Sequence, residues 1–116
     1  MNTLQRTAYL LTILFILCTE SMPSGQIYIT KYKSEADAVI YITKYKSDAH
    51  IVVYVSEYKS DASGDEAVWY YTGYKSDADA ILFVSKYKSD ADIFVYFSNY
   101  KSDAGWKKEN AYRGQL

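Results

Sequence analysis

The pentapeptide Tyr-Lys-Ser-Asp-Ala occurs verbatim from Tyr45, Tyr58, Tyr74, Tyr87 and Tyr100, and Tyr32 opens a sixth copy with Glu35 in place of the aspartate. Successive tyrosines lie 13, 13, 16, 13 and 13 residues apart. Self-similarity at a fixed short period marks a chain built from stacked supersecondary units. A thirteen-residue period leaves no room for a useful helix beside a strand, so it demands β-structure. Six units run from about Gln26 to Ala104. The one long step carries an insert, Ser63 to Glu66, expected as a loop bulging between the third and fourth units.

Each unit has two halves. The first is an apolar, β-branched and aromatic run of strand length: Ala38 to Thr43, Ile51 to Ser56, Ala67 to Thr72, Ala80 to Ser85 and Ile93 to Ser98. Side chains alternate across a strand, so Ile40, Ile42, Val53, Val55, Trp69, Tyr71, Leu82, Val84, Val95 and Phe97 share the inward face. The same alternation applied to the pentapeptide turns its Tyr, Ser and Ala inward and its Lys and Asp outward. The expectation is an all-β, single-domain parallel β-solenoid of six rungs, in which large strand residues face a thin wall of Ser and Ala. The alternative is an antiparallel β-meander or a barrel built from it. That alternative fits the strand lengths, but it does not stack identical turns. Trp106 is the expected lid over the last layer, with the rest of residues 105–116 solvated or frayed.

The outward face of the strand halves holds Tyr28, Val39, Tyr41, Val52, Tyr54, Val68, Tyr70, Ile81, Phe83, Phe94 and Tyr96. Stacked at about 4.8 Å per rung, they would form a flat stripe roughly 25–30 Å tall. An apolar patch of that size marks an interface, and tyrosine suits one because its ring packs while its hydroxyl stays wet. This face is the expected site of homo-oligomer formation or of a protein or surface partner, a purely structural tyrosine ladder being the plainer reading. The alternative ligand is an extracellular glycan, whose sugar rings stack on ordered aromatics.

Other columns point to scaffold rather than chemistry. The Lys and acidic columns lie side by side and neutralise one another. The second aspartate of a unit (Asp37, Asp79, Asp92) is expected to hydrogen-bond its own turn. A calcium ladder there would call for the glycine-rich nonapeptide of calcium-binding β-rolls, which the sequence lacks. Thr30, Thr43, Ser56, Thr72, Ser85 and Ser98 give one hydroxyl column, where an ice-binding face needs two. With 13 Lys+Arg against 14 Asp+Glu there is no basic field to gather nucleic acid. His50 is the single histidine, and no nucleophile elbow, phosphate loop or metal-spaced His/Cys set accompanies it. A non-enzyme without cofactor or metal is expected.

The first 21 residues differ in kind. Arg6 precedes an apolar run, Thr7 to Leu17, too short for the ~20 residues of a membrane-spanning helix but suited to a secretory signal cleaved after Ser21. The mature chain is then secreted or periplasmic, with no transmembrane segment. A lipoprotein signal at Cys18 is less favoured, because Leu17 stands where a small residue belongs. Cleavage at Ser21 leaves no cysteine, hence no disulfide or thiolate chemistry.

Tyr32 to Asp37, Tyr74 to Asp79, Tyr87 to Asp92 and the closing Tyr100 to Lys107 together resemble an uncharacterised family of small, mostly bacterial tandem-repeat proteins with Tyr-x-Ser-x-Ala-Asp repeats and a final Ala-Gly-Trp. The resemblance covers roughly Gln26 to Lys108 and implies a repeat fold without implying an activity, ligand or catalytic residue. The chain departs from the pattern at His50 and Ser63, where aspartate is usual. It departs again at Val39, Val52, Val68, Ile81 and Phe94, which are apolar where lysine is common.

Overall fold

The computed structural model describes residues 25–116; the expected signal peptide and Cys18 lie outside these residues. Six parallel strands, β1 (Gln26–Ile29), β2 (Ala38–Ile42), β3 (Ile51–Val55), β4 (Val68–Tyr71), β5 (Ala80–Val84) and β6 (Ile93–Ser98), precede a two-residue β7 (Gly105–Trp106). Their spatial order is β4-β1-β5-β2-β6-β3, and β3 pairs back to β4, closing a parallel barrel. The parallel direction belongs to the expected solenoid and the closure to its barrel alternative. Closure also removes the open strand edge that a solenoid end would present.

Consecutive units do not stack on one another, as the solenoid expectation had them; β5 lies between β1 and β2, and β6 between β2 and β3. The register gives the reason. Ile27 lies opposite Ala80, Leu82 opposite Ala38, Ile40 opposite Ile93 and Val95 opposite Ile51. Every strand thus lags its neighbour by two residues. Across two seams the lag reaches four: Ile29 pairs Leu82, which pairs Ala38, so the end of β1 is level with the start of β2. The connection therefore moves sideways by two strand widths, about 10 Å, and needs no return along the strand. A parallel crossover usually takes a helix for that return. Here a single turn suffices, and thirteen residues make a whole unit.

The sixteen-residue step does something different. From β3 the chain enters the adjacent position, β4, rather than skipping one. That single hop shifts the path into the gaps left by the first round, so β4, β5 and β6 fill between β3 and β1, β1 and β2, and β2 and β3. The segment expected to bulge out is therefore the switch from the first circuit of the barrel to the second.

The inward strand residues are those the alternation assigns. Ile27, Ile40, Val53, Trp69, Leu82 and Val95 form the buried core with Ala38, Ile51, Ala67, Ala80 and Ile93; Val55, Val84 and Phe97 pack on it. Large meets small across the seams, as in Ile27 against Ala80 and Leu82 against Ala38. The small partners are strand alanines, not the alanines of the pentapeptide.

The pentapeptide itself is no strand. Lys33–Glu35, Lys46–Asp48, Lys75–Asp77, Lys88–Asp90 and Lys101–Asp103 are single 3-10 turns, and Lys59–Ala62 is one α-helical turn. Helical backbone breaks the period-two alternation, so the tyrosines and serines expected inside are exposed, whereas Ala49 and Ala62 are fully buried.

The barrel end where the strands begin is sealed by the C-terminal segment. β7 pairs antiparallel with β3, Val52 lying opposite Gly105. Trp106 and Tyr112 pack on the core, and Leu116 is buried in it. Glu66, within the insert, accepts from Trp106 Nε1 at 2.8 Å, Gly114 N at 2.8 Å and Leu116 N at 2.9 Å. The tail expected to fray is thus fastened to the switch segment. Nearby, Gly25 sits at φ 95° with no space for a Cβ, which would fall 2.5–2.6 Å from Ala62 and the Val68 carbonyl oxygen.

Candidate functional site

The expected outward residues do face out, but the barrel distributes them around its girth and no flat stripe forms. They meet as cross-strand pairs: Tyr28 with Ile81, Val39 with Phe83, Tyr41 with Phe94, Val52 with Tyr96 and Tyr54 with Val68, while Tyr70 pairs Gln26. Val39, Val52 and Val68 are buried and unavailable to a partner; the other eight are partly covered. The two-residue lag sets each aliphatic beside the aromatic of the next strand, and the turns after β1, β5 and β6 lie against β5, β2 and β3. Tyr41 and Phe94 meet edge to face at 5.9 Å. Within this girdle the aromatics Tyr28, Tyr41, Tyr54, Tyr70, Phe83 and Tyr96 keep some access to solvent.

The exposed aromatic surface lies elsewhere, in residues the alternation had turned inward. Because the six strands are parallel, all six pentapeptides leave the barrel at one rim. Their tyrosines, Tyr32, Tyr45, Tyr58, Tyr74, Tyr87 and Tyr100, are 63–71 % exposed. Inside that ring the last inward residues, Ile29, Ile42 and Tyr71, also reach solvent. Partial burial pushes the Tyr71 phenol up from its ordinary value.

The turn that carries each tyrosine is held by the Ser/Thr column. The hydroxyls of Thr30, Thr43, Ser56, Thr72, Ser85 and Ser98 each accept the backbone N–H of the tyrosine two residues on, at 3.0–3.2 Å. Four of them also donate to the acid of the same turn: Thr30 to Glu35, Ser56 to Asp61, Ser85 to Asp90 and Ser98 to Asp103. Thr30, Thr43, Ser56 and Ser85 are buried, so this column cannot be an ice-binding face.

The lysine of each turn reaches the acid of a neighbouring turn. Lys33 pairs Asp90, Lys88 pairs Asp48, Lys46 pairs Asp103, Lys101 pairs Asp61 and Lys75 pairs Glu35, at 2.9–3.9 Å. These links follow the strand order around the rim. Among the described residues the one missing link is Lys59 to Asp77, across the β3–β4 seam where the insert lies. Lys75 and then Thr30 hold the Glu35 carboxyl below its usual value, and Ser98 and then Lys46 do the same for Asp103.

Two grooves occupy equivalent places on this rim. One, of about 260 Å³, runs from Tyr41 to Tyr45 with Asp48 and Lys88; the other, of about 280 Å³, runs from Phe83 to Tyr87 with Asp90 and Lys33. Each joins a girdle aromatic, a rim tyrosine and an ion pair. Their volumes fall below the ~300–1,000 Å³ typical of drug-sized ligands, so each suits one ring-sized group.

The second aspartates bind across a seam rather than within their own turn. Asp37 donates its N–H to the Ile81 carbonyl and accepts the Ile81 N–H on its carboxylate; Asp79 holds Gln26 and Asp92 holds Val39 in the same two-point way. Their carboxylates serve the fold, and among the described residues no group of three or more His, Cys, Asp or Glu is placed to hold a metal ion. Glu66 was missed by sequence reasoning although a signal existed. It stands eight residues before Tyr74, the same offset that Asp37, Asp79 and Asp92 hold from the next tyrosine.

The family described as "7(1) septoil knot domain" matches residues 22–107. That span is most of the 116-residue chain, and the chain belongs to this family. Two interleaved circuits of one barrel are the course of a two-strand torus winding, the class to which a 7(1) knot belongs. No curated protein and no solved structure matches the chain.

Proposed function

We propose that this member of the septoil knot domain family is an exported, non-catalytic binding module that uses its tyrosine rim for self-association or for docking to a protein surface. The observation that carries the reading is the ring of six exposed tyrosines on one rim. Each is set on a hydrogen-bonded turn, so little backbone freedom remains to be lost on contact. Repetition around a closed ring makes the contact multivalent. Export is supported by the short apolar run before Ser21 and by the family match, which begins at the next residue, Met22. A non-catalytic role is supported by the use of the repeated carboxylates and hydroxyls as structural hydrogen-bond partners.

The test is light scattering coupled to size exclusion across a concentration series. Mass that rises with concentration and returns to that of a monomer in Tyr45→Ser plus Tyr87→Ser is expected. A protein that stays monomeric, and whose tyrosine emission is quenched by soluble glycans, would replace this reading with the glycan one. The grooves favour that second reading, since each offers an aromatic wall beside a lysine–carboxylate pair.

A further inference from the structure

Four seams of the barrel carry the same two-point bond, and at one of them the partner is a histidine. His50 donates its backbone N–H to the Phe94 carbonyl at 2.8 Å, and its Nδ1 accepts the Phe94 N–H at 2.8 Å. It stands eight residues before Tyr58, the offset of Asp37, Asp79 and Asp92. Accepting an N–H requires a lone pair on Nδ1, so the imidazole is neutral with its proton on Nε2. The carbonyl of His50 in turn accepts the N–H groups of Lys107 and Lys108, just past β7, at 2.7 and 3.2 Å. One residue therefore joins β3, β6 and the C-terminal segment that seals the barrel.

We propose that His50 is an acid-sensitive latch on that seal, whose protonation opens the β3–β6 seam at Phe94 and loosens the segment from Gly105 to Leu116. A proton on Nδ1 turns the acceptor into a donor facing another donor, so the side-chain half of the clamp is lost outright and only the His50 N–H to the Phe94 carbonyl remains. The surroundings offer the imidazolium no compensation. From the tail, Lys107 and Lys108 bring positive charge, and the charge of Lys108 opposes protonation. From the β6 side, Phe94 packs on the ring at 5.0 Å with the Lys88 ammonium 5.8 Å from the Phe94 centroid. The nearby carboxylates are engaged: Asp48 faces Lys88 and Asp92 holds the Val39 N–H. Desolvation, and then Lys108, hold the imidazole below its ordinary value of 6.5. A group whose folded-state pKa is depressed contributes stability that is present above the unfolded value and lost as pH falls through the folded one. The Asp clamps at the other seams do not share this weakness, because a carboxyl group keeps an acceptor oxygen whether or not it carries a proton.

Amide hydrogen exchange of the whole chain, corrected for intrinsic rates, tests the latch at pH 7.5 and 5. Protection at Phe94, Lys107, Gly114 and Leu116 is expected to fall by up to about tenfold per pH unit below about 6.5, while the interior of β5 is much less affected. His50→Asp, which installs the clamp used at the other seams, is expected to hold protection to within about twofold over the same range. Should that variant not fold, His50→Asn supplies a neutral acceptor that does not titrate. Tail protection unchanged in the natural protein at pH 5, or lost equally in the folded variant, overturns the proposal. So does an imidazole 15N shift that places the proton on Nδ1 at pH 7.5.

Discussion

At the end of the barrel where the strands begin, Trp106, Tyr112 and Leu116 close the core, whereas at the end where they finish Ile29, Ile42 and Tyr71 reach solvent inside a ring of tyrosines. The closed end is made from what is not repeated: Gly25, the insert, Glu66, His50 and the tail. The open end is made from what is repeated: six pentapeptides, six Ser/Thr hydroxyls and a circuit of ion pairs. Repetition supplies a surface, and departures from it supply topology and closure. Damage to the first end is therefore expected to cost stability, and damage to the second to change only what it touches.

The largest effect follows from shortening the insert. Deleting Ser63 to Asp65 makes every step thirteen residues, so the hop after β3 spans two positions and lands on the place of β1. The second circuit then has no gap to enter, and the deletion is expected to abolish the cooperative thermal transition and the near-ultraviolet tyrosine signal. Gly25→Ala comes next. A Cβ 2.5 Å from the Ala62 carbonyl oxygen, on a residue at φ 95°, meets backbone that cannot step aside. A loss of roughly 3 kcal/mol or more in urea titrations is expected. Glu66→Ala removes the acceptor from three donors, one of them, Gly114 N, able to turn to water. It is expected to cost about 2–3 kcal/mol and to make the tail sensitive to carboxypeptidase, with β1–β6 retained.

These sites differ in how far the sequence discloses them. Strand positions and inward residues such as Trp69 and Leu82 were legible because burial on one face imposes strict alternation. Neighbour order was not, because near-identical units give no pairwise signal to distinguish stacking on the next copy from stacking two places on. It emerges from the two-residue lag, a property of the closed sheet. The pentapeptide was misassigned for a local reason. Ser or Thr two residues before each tyrosine and an acid three after it form a hydrogen-bonded turn, and the period-two alternation takes no account of such a turn. Glu66 was hidden by the insert, which shifts the eye from its offset to that of Ser63. The candidate face loses Val39, Val52 and Val68, which point outward and are covered all the same, and keeps eight partly covered residues spread around the barrel.

An intermediate effect is expected at the seams. Asp92→Ala leaves the partly buried Val39 N–H without its acceptor and is expected to cost about 1–2 kcal/mol, while Asp92→Asn, which keeps a carbonyl oxygen in place, should recover most of it.

The smallest effect belongs to the rim, and it is the sharpest test of the contrast between the ends. Lys33→Ala plus Lys88→Ala breaks two successive links of the ion-pair circuit, those to Asp90 and Asp48 at 3.9 and 3.8 Å. Both pairs are solvent-exposed, and such pairs contribute little because water screens them and two long side chains must be held still. The double substitution is expected to move the Tm by about 2 °C or less and to leave the transition equally cooperative. It also removes a lysine from each of the two grooves, so a change in binding or self-association without a change in stability is the expected pairing of results. A large loss of stability would mean that the circuit holds the barrel together, and the division between a structural end and a presented end would fall with it.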